Sequence, residues 1–126
     1  MSVSGSRVAL AIKTRITTPD VDATRAFYER VLGLAVVETW EDPGDRGVIL
    51  ALSPSAREGL LEIHDGPAGA LDRLSLQFKV HDLAAFTDAL PSGVPYDGPT
   101  TRPWGSTYVY LRDPNGVQVV VYSGGW

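Results

Sequence analysis

From Val8 onward the chain alternates, placing Val8, Leu10, Ile12, Thr14 and Ile16 on one side and Ala9, Ala11, Lys13, Arg15 and Thr17 on the other. A period of two with β-branched residues predicts a strand, apolar on one face and increasingly polar on the other. The turn Thr18-Pro19-Asp20-Val21-Asp22 is rich in helix-starting residues. Ala23, Ala26, Phe27, Tyr28, Val31 and Leu32 then follow at helical spacing as far as Gly33, which predicts an amphipathic helix of about three turns ended by glycine. Strand patterns come next at residues 34–40, at 47–52 after the Asp42-Pro43-Gly44 turn, and at 59–63. Gly66-Pro67-Ala68-Gly69 reads as a linker.

The same order of strand, helix and three strands then recurs. Leu74, Leu76, Phe78 and Val80 alternate with Ser75, Gln77 and Lys79; Asp82 is placed to cap a helix carrying Leu83, Phe86 and Leu90; and Pro91-Ser92-Gly93 stops it. Short strands are expected near 94–96, at 107–112, and at 117–122 after the Asp113-Pro114-Asn115-Gly116 hairpin turn. The two helix starts, Asp20 and Asp82, stand 62 positions apart in a chain of 126. This spacing predicts an internal repeat of two βαβββ units, about 8–65 and 72–124, within one α+β domain.

Composition narrows the chemistry. A chain of this length buries roughly two-thirds of its unfolded surface, enough for one core without staples. There is no cysteine, which removes disulfides, thiolate zinc sites, iron–sulfur clusters and cysteine nucleophiles. Only His64 and His81 are present, so a three-histidine metal site would need ligands from another chain. Eleven basic against fifteen acidic side chains give a net charge of −4, and no run of Lys or Arg makes a local footprint for a nucleic-acid backbone, so no nucleic-acid partner is expected. The segment 1–7 lacks a basic and then apolar signal pattern, and no stretch approaches the roughly 18 apolar residues of a membrane span. The expectation is a soluble cytoplasmic protein with no membrane partner.

Four pieces, in order, resemble one family: Pro19-Asp20 leading to Phe27-Tyr28, Val31-Leu32-Gly33-Leu34, Trp104-Gly105, and Arg112-Asp113-Pro114-Asn115-Gly116. With the repeated βαβββ order, they resemble the vicinal-oxygen-chelate superfamily, which includes glyoxalase I, extradiol dioxygenases, fosfomycin-resistance enzymes and bleomycin-resistance binding proteins. The resemblance covers nearly the whole chain. It implies two units forming a cupped mixed sheet with helices on the convex face, a ligand held on the concave face, and a homodimer. The motif residues themselves read as scaffold, Phe27 and Tyr28 as helix packing and Asp-Pro-Asn-Gly as a turn.

Metal-dependent members of that superfamily place a ligand on the first and the last strand of each unit. Alignment by the helix-start motif puts Lys13, Glu62, Ser75 and Val120 at those four positions. A divalent ion wants imidazole or carboxylate donors, and an ammonium repels it. The resemblance is therefore to the metal-free, bleomycin-resistance-type binding branch, with no metal and no cofactor. His64 shares a strand face with Glu62, as a polar group at the rim of the cup or as a solvent-facing strand end; a Glu-x-His metal pair is geometrically possible but would be a weak two-ligand site, and His81 falls outside.

Residues sharing a face with the aligned positions are expected to face the cavity. They include Lys13, Arg15 and Thr17, then Ser75, Gln77 and Lys79, and then Gln118, Val120 and Tyr122. By the same alignment Trp40, Val48, Leu50 and Leu52 face inward beside Glu62 and His64, and Tyr108 and Tyr110 are left for the cavity. The expected wall is apolar and aromatic at Trp40, Leu50, Trp104, Tyr108 and Tyr110 and polar at Lys13, Arg15, Glu62, His64, Ser75 and Gln77. Such a wall suits a flat organic ligand oriented by a few hydrogen bonds. Two alternatives stand beside it: Trp40 and Trp104 as filling for a dimer interface, and Lys13 with Glu62 as either a structural ion pair or an acid–base pair.

The function expected from these residues is sequestration of an aromatic or hydrophobic natural product, of the antibiotic self-resistance type. The mixed or positive cavity favours a neutral or anionic ligand over a cationic one. A metal-independent isomerase, cyclase or lyase using Lys13, Glu62 or His64 as acid or base is the alternative. A silent relative with a closed cup and a role in protein interaction is the third.

Overall fold

The computed structural model describes residues 8–125, so residues 1–7, from which no secretory signal was expected, and Trp126 lie outside the described residues. Two compact units divide the chain, Met1–Gly69 and Ala70–Trp126. In the first, β1 (Ile12–Thr18), α1 (Val21–Leu32), β2 (Ala35–Asp42), β3 (Asp45–Ala51) and β4 (Gly59–Asp65) form a sheet in the order β1-β4-β3-β2. β1 and β4 run parallel, and the other pairs are antiparallel. In the second, β5 (Ser75–Lys79), α2 (Leu83–Asp88), β6 (Asp97–Thr101), β7 (Thr107–Arg112) and β8 (Gln118–Ser123) give β5-β8-β7-β6 with the corresponding parallel and antiparallel pairs. The protein is α+β, with a four-stranded mixed sheet in each unit. Among the described residues no helix is long and apolar enough to cross a membrane.

Local chemistry sets the helix ends. The Asp20 carboxylate accepts from the Ala23 amide at 3.0 Å, and Asp82 accepts from Ala85 in the same way, each satisfying a first-turn N–H that lacks a helical partner. α1 stops at Gly33, whose φ of 68° suits a residue without a β-carbon, and the Leu34 amide closes onto the Tyr28 carbonyl. The helix buries Val21, Thr24, Tyr28 and Val31 and packs on β3 and β4. Beneath it, Ile16, Val48, Leu50, Leu61 and Ile63 are buried on one face of the first sheet. Leu76, Phe78, Val109, Leu111, Val119 and Val121 make the corresponding face of the second, and from Val109 onward all of these are fully or nearly fully buried.

Three expectations change at the level of elements. The first strand starts at Ile12 rather than Val8, because its partner β4 starts at Gly59, the ladder partner of Ile12; Val8 is 92% exposed. The strand expected at 94–96 forms at Asp97–Thr101 instead, where the ladder with β7 supplies the partners Tyr110, Tyr108 and Thr107. Finally, β3 lies one residue out of the expected phase. Leu50 pairs with Leu61 and Val48 with Ile63, so both point into the core under α1; Leu52 lies beyond the end of the strand and is exposed. Gly47 and Ile49 occupy the Glu62 face instead.

Candidate functional site

On the face of the first sheet opposite its core, charged residues from β1 and β4 are ladder neighbours. Arg15 pairs with Glu62 and Thr17 with His64, and Lys13 is one step along the same face. The Glu62 side chain is only 11% exposed, while Lys13 and Arg15 are 47% and 54% exposed. Lys13 Nζ stands 3.1 Å from Glu62 Oε1 and Arg15 Nε 3.5 Å from Oε2, so both oxygens of one nearly buried carboxylate are taken by cations. That is the arrangement burial of a carboxylate requires.

The chain of contacts continues through His64. Arg15 Nη2 lies 2.6 Å from His64 Nδ1, and His64 Nε2 lies 2.9 Å from Asp45 Oδ1. A guanidinium only donates and a carboxylate only accepts, so the imidazole carries its proton on Nε2, donates it to Asp45 and accepts from Arg15 at Nδ1. Trp40 Nε1 donates to the same Asp45 oxygen at 2.9 Å, and the Trp40 ring lies over Gly47, tilted 31° to His64. The indole N–H first, and the His64 contact second, hold the Asp45 carboxyl below its ordinary value of 3.8. Lys13, Arg15, Trp40, Glu62 and His64 thus join in one network, with Asp45 as its unforeseen member. Its phase on β3 is that of Gly47, and the near-continuous apolar run 48–52 hides that phase from any count of alternation.

The second unit builds a different surface. Tyr108 and Tyr110 project from β7 on the face of Gln77, Gln118, Val120 and Tyr122. Tyr108 stacks on Tyr122 with ring centres 5.7 Å apart and on Tyr110 at 6.3 Å, and Trp104 meets it edge-on at 6.3 Å. Trp104 Nε1 donates to the Tyr108 hydroxyl at 3.0 Å, although the indole is 64% exposed. A cavity of about 430 Å³ opens here, walled by Trp104, Tyr108 and Tyr110 and by the polar Gln77, Arg102 and Gln118. That volume and the mixture of rings with a few polar groups are those of small-molecule sites. Ser75 shares the face through its pairing with Gln118, and its buried Oγ has no hydrogen-bond partner among the described residues. Arg102 escaped the pattern of the sequence because a turn, not a strand, brings it here.

The aligned metal positions do not fit a divalent ion. Lys13 and Val120 offer no anionic or imidazole donor, and the Glu62 carboxylate is already engaged by two cations. Among the described residues no three His, Asp or Glu side chains form a metal-binding group.

A family model described as the Glyoxalase/Bleomycin resistance protein/Dioxygenase superfamily matches residues 10–121. Among solved structures, TnmS3, an antibiotic binding protein from Streptomyces sp. CB03234, is 22% identical with a TM-score of 0.73, over 94% of this chain and 100% of its own. A glyoxalase/bleomycin resistance protein from the same Streptomyces is 22% identical with a TM-score of 0.69, over 88% and 97%. Lactoylglutathione lyase from Agrobacterium tumefaciens is 25% identical with a TM-score of 0.70, over 94% and 96%. No curated protein matches the sequence.

Proposed function

The chain belongs to the glyoxalase/bleomycin resistance protein/dioxygenase superfamily, and from that membership we propose that it is a metal-free binding protein that sequesters an aromatic or hydrophobic natural product. The observation that carries the reading is the cavity of the second unit, where Trp104, Tyr108 and Tyr110 stand beside Gln77, Arg102 and Gln118. A sequestering protein needs a wall on which a flat ligand stacks and a few polar groups to orient it, and no reactive centre. Its structural likeness to a protein described as antibiotic binding supports an antibiotic as the natural ligand. The proposal includes a homodimer acting in the cytoplasm.

A second reading, a metal-independent isomerase, cyclase or lyase, is favoured by one observation: Asp45 orients His64 as an acid orients a catalytic base. Arg15 on Nδ1 and the two cations on Glu62 weigh against it, because both candidate bases are already engaged. Calorimetric titration with a panel of polycyclic aromatic antibiotics tests both. Saturable binding is expected, weakened about tenfold or more by Tyr108→Ala, with the compound recovered unchanged by chromatography. Conversion of the compound, abolished by Glu62→Ala or Lys13→Ala, would replace sequestration with catalysis.

A further inference from the structure

The cavity beside the tyrosines is charged in one sense only. Among the described residues that line it Arg102 alone is ionised, and none of them is a carboxylate. In the first unit four basic residues are answered by acids: Lys13 and Arg15 share Glu62, Arg25 pairs with Glu29, and Arg46 with Asp22 and Glu41. Arg102 has no such partner among the described residues. Asp97, opposite Tyr110 in the β6–β7 ladder, makes no ion pair with it. By register Lys79 and Arg112 lie on the same sheet face as the tyrosines, against the one carboxylate of Asp97, so the balance of charge on that face is positive.

The hydrogen-bond inventory points the same way. Tyr108 Oη accepts from the Trp104 indole, and Tyr110 Oη lies 3.4 Å from Arg102 Nη2, which can only donate. Each phenol therefore receives a donor, and among the described residues its own O–H has no acceptor. The guanidinium adds donors and no acceptor, while the amide groups of Gln77 and Gln118 can both donate and accept. Arg102 is also held in place although its side chain is exposed. Its amide donates to Ser106 O and its carbonyl accepts from Gly105 N, both at 2.9 Å, which closes the turn that also presents Trp104. Ser106, at the end of that turn, is fully buried and its hydroxyl donates to the Gly125 carbonyl.

We propose that the ligand of this cavity is an aromatic carboxylate, with its rings against Tyr108, Tyr110 and Trp104 and its carboxylate on the Arg102 guanidinium. The inference rests on the binding function proposed above and names the class of ligand. A guanidinium presents two parallel N–H groups that match a carboxylate, whereas a cationic ligand would meet an unpaired positive charge and the O–H donors of two phenols.

The test is calorimetry on the full chain with two probes of equal shape, anthraquinone-2-carboxylate and anthraquinone-2-carboxamide. The wild type is expected to hold the carboxylate about tenfold more tightly. R102Q should remove most of that preference, with circular dichroism unchanged, and R102K should restore part of it. Raising salt from about 50 to about 500 mM should weaken the carboxylate far more than the amide. Equal affinities in the wild type, or a preference that survives in R102Q, overturn the assignment while leaving the binding function standing. Failure of both probes and of the antibiotic panel to bind overturns the binding function and this inference together.

Discussion

Asp45 shows how one residue decides the character of the first sheet's polar face. One of its carboxylate oxygens, Oδ1, receives both the Trp40 indole N–H and His64 Nε2–H, so Asp45 fixes the orientation of one ring and the tautomer of another. Hydrogen bonding to the charged form favours that form, and the Asp45 pKa is lowered accordingly. Any stability this carboxylate contributes is complete above the ordinary carboxylate range and lost as pH falls through its lowered folded-state value. Titration of the Trp40 indole N–H resonance should therefore show a midpoint below 3.8, absent in Asp45→Asn. A midpoint at or above that value would mean that the indole bond is not made to the ionised group. Glu62 settles its own cluster differently, as a nearly buried acid shared by two half-exposed bases. Lys13 and Glu62 were brought together beforehand by the family resemblance, which aligns them as two positions of one cup. The place of Asp45 could not be foreseen, because the residues after it are apolar on both faces.

At the scale of elements, the β2–β3 hairpin carries the clearest test. Pro43 and Gly44 form the whole connection between Asp42 and Asp45, which are ladder partners, with Gly44 at a φ of 76°. Two positions along the ladder Trp40 faces Gly47, and the absence of a side chain there lets the indole lie flat across the strand to reach Asp45. A β-carbon at position 47 would meet the Trp40 ring and stand 2.8 Å from the Ile63 carbonyl oxygen, which belongs to the β4 backbone and cannot move aside cheaply. Gly47→Ala is expected to cost about 1–3 kcal/mol in denaturant unfolding and to change the Trp40 emission. Wild-type stability and spectrum in that variant would show that the ring does not rest on the strand. The register that creates this contact lies beyond local pattern. A bulge between Val36 and Glu38 shifts β2 against β3, and the run Val48-Ile49-Leu50 satisfies either phase until β4 pairs with it.

On the scale of the whole molecule, the two units repeat one topology and specialise it. The first covers its polar face with a closed ionic and hydrogen-bonded network; the second leaves an aromatic cavity with spare donors. A ligand that binds only the folded state raises its stability by mass action. Saturation to 100 times the dissociation constant is worth about 2.7 kcal/mol, or an upward shift in melting temperature on the order of 10 °C for a chain of this length. Differential scanning calorimetry with the aromatic carboxylate should show that shift in the wild type and a smaller one in Tyr108→Ala at equal ligand concentration. An unchanged melting temperature at saturating ligand would show that the native state has no such site.

What the sequence determined by itself was what depends on near neighbours: the order of strands and helices, the aspartates that start both helices, and the faces of strands whose polar and apolar residues alternate. The side chains at the aligned metal positions were equally legible, because they are a matter of residue type. Only tertiary structure decided which core-facing phase β3 adopts, that Asp45 meets His64 and Trp40, and that the turn after β6 brings Arg102 to the hydroxyl of Tyr110. Those contacts depend on ladder register and loop closure, which join residues distant along the chain and leave no periodic mark on it.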